Sequence, residues 1–157
     1  MIARMAIRQA GQVRRGGILP PLFTCAFAAF GCLMAASACA GDGLYSAAQA
    51  ARGEETYQQF CSACHGARLQ GAPAAPLTGD AFRARWEDGK HTLDDLYYII
   101  RSLMPNNAPG SLSKAQYVDV IAFILQVNHY PAGEHDLVPQ AAAMKAVTLE
   151  PQAGGER

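Results

Sequence analysis

Cys61-Ser62-Ala63-Cys64-His65 is a C-x-x-C-H run, and its reading decides what the rest of the chain has to be. Two thiols three residues apart, followed at once by an imidazole, suit three kinds of chemistry. A thioredoxin-like redox pair needs a βαβ setting, and no segment here alternates long enough for a strand. A four-ligand zinc site needs two further ligands at metal-binding spacing. His91, His129 and His135 are dispersed, and no second cysteine pair follows Cys64. The third chemistry is covalent attachment of a c-type haem. Each thiol adds to one of two vinyl groups on the porphyrin edge, and the neighbouring imidazole then sits beneath the iron.

Outward from the motif, three segments carry helix start signals. Ser46-Ala47-Ala48-Gln49 has the pattern of a capping box, and Ala50, Tyr57 and Phe60 follow close to one face as far as Cys61. Thr92 precedes Leu93, Leu96, Tyr97, Ile100 and Leu103 at helical spacing, with Asp94 and Asp95 favourably placed in the first turn. Ser113-Lys114-Ala115-Gln116 is a second capping box ahead of Val118, Ile121, Ala122 and Leu125, and Asn128 and Pro131 close that helix. Residues 66–90 contain Gly71, Pro73, Pro76, Gly79 and Gly89 and read as an irregular stretch. A compact domain seldom tolerates so long a loop unless it is functional or wraps something. From Ala132 the chain is rich in Ala, Gln and Pro and reads as a loosely held arm, with one helical turn near Pro139 to Lys145.

The N-terminal side has a different composition. Residues 1–17 are basic and free of acids, Ile18 to Ala38 is almost continuously apolar, and Ala38-Cys39-Ala40 ends the run with small residues. This is the three-part layout of a secretory signal peptide over residues 1–40, with cleavage expected before Gly41. Two variants keep the chain on a membrane. The apolar run could remain as an anchor, or Cys39 could be lipidated, since Ala36-Ser37-Ala38-Cys39 loosely resembles a lipoprotein box. Arg14-Arg15 reads as ordinary n-region charge.

Composition sets the outer bounds. At 157 residues one domain is expected. Residues 41–157 hold 9 basic and 13 acidic groups, a net of −4, which excludes the dense Lys/Arg surface of a nucleic-acid binder. Cys25, Cys32 and Cys39 fall in the leader, so no multi-disulfide framework is available. Residues 45–131 give three helices and loops to enclose a core, which is small enough to need reinforcement. A covalently held porphyrin would supply the missing apolar centre.

Gly53, Tyr57, Cys61-x-x-Cys64-His65-Gly66, Pro76-Leu77-x-Gly79, Trp86, Met104-Pro105 and the helix from Lys114 to Asn128 together resemble a monohaem class I cytochrome c over residues 45–131. Leu44 to Gly53, Ala108 to Ser113 and Pro131-Ala132-Gly133 are similar to a narrower set. Those are the bacterial cytochromes found with, or fused to, pyrroloquinoline-quinone alcohol and sugar dehydrogenases. The resemblance implies an all-α class I cytochrome c fold of three main helices and an irregular loop around one haem c. It places that domain at 41–131, ahead of a loosely ordered arm at 132–157. Cys61 and Cys64 would form the thioethers, with His65 as proximal ligand. The second nitrogen of His65 would donate to the Pro76 carbonyl. Gly53 would let the first helix cross the last near Ala122 or Phe123. Trp86 would aim its indole N–H at a haem propionate, or serve only as a buried aromatic. Met104, stopped by Pro105, would be the sixth ligand, against the plain alternative of core filler. Met1, Met5 and Met34 belong to the leader and Met144 to the arm.

With His65 and Met104 closing the iron, the expected function is a periplasmic one-electron carrier rather than an enzyme. Its donor would be a periplasmic dehydrogenase and its acceptor a terminal oxidase or another cytochrome. Two alternatives stay open at this stage. One is a haem enzyme or gas sensor with a displaceable sixth ligand, in which His91 could serve as the distal group. The other is a haem subunit held in a larger oxidoreductase by the arm.

Overall fold

The computed structural model describes residues 43–151. The proposed signal peptide, with Cys39 and its lipidation, lies outside the described residues. Six helices follow in order: α1 (Ala47–Phe60), α2 (Ser62–His65), α3 (Gly79–Trp86), α4 (Leu93–Leu103), α5 (Lys114–Val127) and α6 (Ala141–Lys145). Among the described residues there is no strand, only two isolated bridges, Ser46 with Gly133 and Thr92 with Thr148. The three expected helices are α1, α4 and α5, so the all-α expectation holds. No helix of the described residues is long and apolar enough to cross a membrane.

Helix α5 is the centre because every residue from Tyr117 to Leu125 is buried. A helix apolar on all sides must be covered on all sides. Its start is fixed by the full capping box: Ser113 accepts from the Gln116 amide while Gln116 accepts from the Ser113 amide. Helix α1 lies across α5 through the buried stripe Gln49, Ala50, Gly53 and Tyr57. Gly53 permits the crossing, since a Cβ there would fall 1.8 Å from the Asp119 carbonyl oxygen. The close contact was expected near Ala122 or Phe123. It centres instead on the Asp119 backbone, with Phe123 Cβ at 3.1 Å. Tyr57 and Phe123 then stack tilted, ring centres 5.3 Å apart. Helix α4 buries Leu93, Leu96 and Tyr97 and packs on α5.

Two local expectations need correction. The Ser46 cap is half a box: its hydroxyl accepts from the Gln49 amide, but the Gln49 side chain turns inward to Leu137. Within the stretch read as irregular, Gly79–Trp86 forms α3. The sequence carries no periodic trace of that helix because only Phe82 and Trp86 are buried in its two turns.

The arm is the largest departure. Residues 132–151 are anchored at several points rather than loose, with most of their side chains exposed, and residues 152–157 of the arm lie outside the described residues. Gln49, 1% exposed, donates to the Leu137 carbonyl at 2.9 Å and accepts from its amide at 2.6 Å. Met144 and Leu149 are buried to 1% and 0% exposure, and α6 packs on α4. The Leu93 amide donates to the Val147 carbonyl at 2.9 Å, tying the arm to the first turn of α4. The expected helical turn near Pro139 to Lys145 is α6. Two buried side chains and a set of backbone bonds hold the segment, and neither leaves a periodic trace in so polar a stretch.

Candidate haem site

Helix α1 ends at Cys61, whose amide donates to the Tyr57 carbonyl at 2.8 Å, and the chain re-enters one helical turn as α2. That turn sets Cys61, Cys64 and His65 along the wall of one cavity. Gly66, at φ 81°, ends the turn in a conformation that suits glycine, and its carbonyl accepts the buried Tyr57 hydroxyl at 2.7 Å. Backbone bonds then fold the following loop back on the motif: Gly71 amide to His65 carbonyl at 2.8 Å, Ala74 amide to Cys64 carbonyl at 3.0 Å. Leu69 is fully buried at φ 60°, held there by the Leu77 amide on its carbonyl at 2.8 Å. A bulky residue in that region is unusual and is kept by surrounding contacts.

His65 Nδ1 lies 2.7 Å from the Ala75 carbonyl, not that of Pro76. A carbonyl only accepts, so Nδ1 carries the proton and Nε2 keeps its lone pair for a metal. Pro76 acts one residue upstream of the expected bond. Its ring keeps Ala75 out of the helical region and packs against Gly71, where a Cβ would meet Pro76 Cγ at 2.9 Å. Pro76 itself is exposed and does not line the cavity.

A second part of the lining comes from the end of α4. Met104 is the C-cap, extended at φ −122° and ψ 153°, as the residue before a proline should be. Met104, Pro105, Asn106 and Asn107 line the cavity together with Ile99 and Ile100. The cavity measures about 510 Å³, within the range of roughly 300–1,000 Å³ typical of cofactor sites. Its surface is mostly apolar, and no Asp, Glu, Lys or Arg lines it.

These residues fit a c-type haem. Among the lining residues there is one imidazole, one thioether sulfur and two thiols, all around one mostly apolar space. Burial, and then the neighbouring Cys64, push the Cys61 thiol up to about 11. A dithiol redox centre instead needs a thiol that ionises readily. Among the described residues no three His, Cys, Asp or Glu side chains converge as around a bare metal ion.

The remaining candidates fall elsewhere. His91 bonds Asp88 through Nδ1 at 3.0 Å and packs edge-on against Trp86. His91, His129, His135 and Met144 do not line the cavity. Trp86 does, 6% exposed, with the Arg85 guanidinium over its ring. Sequence reading missed Ala75, Leu69 and Tyr117. Ala75 could have been found from the proline after it; Leu69 and Tyr117 look like any core residue.

Residues 48–124 match the family described as cytochrome C oxidase, cbb3-type, subunit III. No curated protein matches the chain. Among solved structures, the sulfane dehydrogenase SoxCD from Paracoccus pantotrophus is similar at 22% identity, with a TM-score of 0.45. The similarity covers 69% of this chain and 56% of that one. A cytochrome c domain implies covalently bound haem c and haem-based electron transfer. The matched span opens on α1 and closes on α5, the two helices crossing at Gly53, and encloses the C-x-x-C-H motif, which supports a class I monohaem cytochrome c domain over residues 48–124.

Proposed function

We propose that this protein is an exported one-electron carrier with a single haem c, bonded through Cys61 and Cys64 and ligated by His65 and Met104. When bound, the haem supplies an iron that alternates between ferric and ferrous states. The chain's own residues supply the rest. Ala75 holds His65 Nδ1, which would leave Nε2 free to ligate the iron, and the apolar walls would exclude water. Trp86, on the lining, would offer its indole N–H to a propionate. Coordination closed by His65 and Met104 would leave no position for substrate or oxygen, which suits transfer of electrons without bond chemistry. The donor would be a periplasmic dehydrogenase of the quinoprotein type, and the acceptor a terminal oxidase or another cytochrome. The observation that carries this reading is the placement of both thiols, His65 and Met104 on the walls of one uncharged cavity.

The test is ligand exchange in holoprotein made with haem-ligation machinery. Wild-type ferric protein should show the sulfur-to-iron charge-transfer band, and the reduced form should ignore carbon monoxide. Met104→Ala should lose the band and bind carbon monoxide fully, whereas Met104→His should stay six-coordinate at a lower potential. Rapid carbon monoxide binding by the wild type would sink the carrier reading and favour a sensor. The family description favours one second reading, a haem subunit of a larger oxidoreductase. Size-exclusion of the native material separates it, since a free carrier elutes near its own mass.

A further inference from the structure

The residues that hold His65 in place are many and local, while the Met104 side depends on few bonds. One side chain is common to both ends of the loop that carries Met104. Tyr117, in the first turn of α5 and 1% exposed, donates its hydroxyl to the Met104 carbonyl at 2.8 Å. The same oxygen accepts from the Leu112 amide at 3.4 Å. Between those ends the loop has only backbone ties: Ala108 amide to Pro105 carbonyl at 2.8 Å, Ser111 amide to Ala108 carbonyl at 3.2 Å, and Gly110 amide to Met104 carbonyl at 3.4 Å. The Met104 carbonyl thus has one short donor, and that donor is Tyr117.

The geometry points to Tyr117 as the positioning residue for the sixth ligand. By fixing the direction of the Met104 carbonyl it fixes the peptide plane from which the methionine side chain departs. By accepting from Leu112 it also closes the loop of Asn106 and Asn107 over the cavity. Tyr117 touches no metal and moves no proton. It sets how readily Met104 gives way to a competing ligand. This inference rests on the proposed ligation by Met104.

The experiment is imidazole titration of ferric holoprotein, following the charge-transfer band. Tyr117→Phe keeps the ring in its core position and removes only the hydroxyl. A lost neutral hydrogen bond corresponds to about two- to tenfold tighter imidazole binding in the variant. Ser113→Ala serves as control, because it removes the α5 cap at a similar stability cost without touching Met104. Replacing Tyr117 with 3-fluorotyrosine, a stronger donor of the same shape, should weaken imidazole binding and provides a second test if the Phe variant does not accumulate. Unchanged imidazole affinity in Tyr117→Phe, or an equal rise in Ser113→Ala, overturns the proposal, as does a fluorotyrosine protein indistinguishable from wild type. A wild type with no charge-transfer band overturns the Met104 assignment itself, a result separable from those outcomes.

Discussion

The two walls of the cavity are built on opposite plans. The His65 wall, residues 61–77, is bonded to itself and to α1 mostly by short contacts of low sequence separation: Tyr57 to Gly66, Gly71 to His65, Ala74 to Cys64, His65 to Ala75, Leu77 to Leu69, with Asn128 reaching the Leu77 carbonyl at 2.9 Å from the end of α5. The Met104 wall, α4 and its following loop, is held from far away in sequence. Tyr117 grips one end and the arm grips the other, through Leu93 with Val147 and Leu149 with His91. The difference teaches where each wall will fail. A wall held locally keeps its geometry as long as its own turn survives, whereas a wall held by distant segments loosens whenever one of those segments is released.

Releasing the arm should have the largest effect. Truncation after Pro131 removes Met144 and Leu149, both fully buried, and strips the Gln49 side chain of both its bonds to Leu137. Emptying one such apolar site costs about 2–5 kcal/mol, so the truncated protein should lose a large part of a small domain's stability. The loss should fall on the Met104 wall first. Thermal melting should shift down sharply and the charge-transfer band should fade before the soret band of the attached haem does. Loss of both signals in one transition would mean that the two walls are a single cooperative unit and that neither is held independently of the other.

An intermediate effect is expected on the other wall. Tyr57→Phe leaves the buried Gly66 carbonyl without its hydroxyl partner, at a cost of about 1–3 kcal/mol. Imidazole affinity should not change, because Met104 is not involved. Burial also pushes Tyr57 up to about 12 from the ordinary 10.0. A raised value means the unfolded chain loses its proton first as pH climbs. Stability from the neutral phenol is therefore complete below pH 10 and declines toward 12. Denaturant melts at pH 9 and 11.5 should show a shallower alkaline decline in the variant. Part of the slope remains, since burial raises Tyr45 and Tyr130 as well.

The same contrast governs what could be read from sequence. The His65 wall was legible because its chemistry sits in five consecutive residues, and the helix starts at Thr92 and Ser113 were legible because caps are local. Met104 was legible only through its resemblance to a family and the proline beside it. Tyr117 and the arm were not legible, and for one physical reason. A hydroxyl reaching a carbonyl 13 residues away, or a glutamine meeting a backbone 88 residues away, leaves no periodicity or spacing to detect. The arm's polar composition pointed away from packing, since Leu137, Met144, Val147 and Leu149 are thinly spread among small and polar residues. The shift of the His65 acceptor from Pro76 to Ala75 is a milder case, in which the right residue was identified with the wrong role.

The smallest effect is expected at the far end of the Met104 wall. Thr92 accepts from the Asp95 amide while Asp95 accepts from the Thr92 amide and hydroxyl, a complete box beside the bridge to Thr148. These bonds, the Thr92 amide first, hold the Asp95 carboxyl below its ordinary value. A lowered value means the folded state gives up its proton more readily than the unfolded chain does. The stabilisation is therefore present above the ordinary carboxylate value near 3.8 and is lost as pH falls below it. Thr92→Ala removes the cap and one of the donors to Asp95, so it should cost about 1 kcal/mol at neutral pH. It should also make the acid decline shallower without abolishing it, because Asp88 and Asp136 are held low by their own partners. Imidazole affinity should stay at the wild-type value, since Tyr117 still grips the other end of α4. If it rises as it does in Tyr117→Phe, a strain at the first turn travels the length of the helix, and α4 has to be treated as one rigid lever rather than a segment pinned at each end.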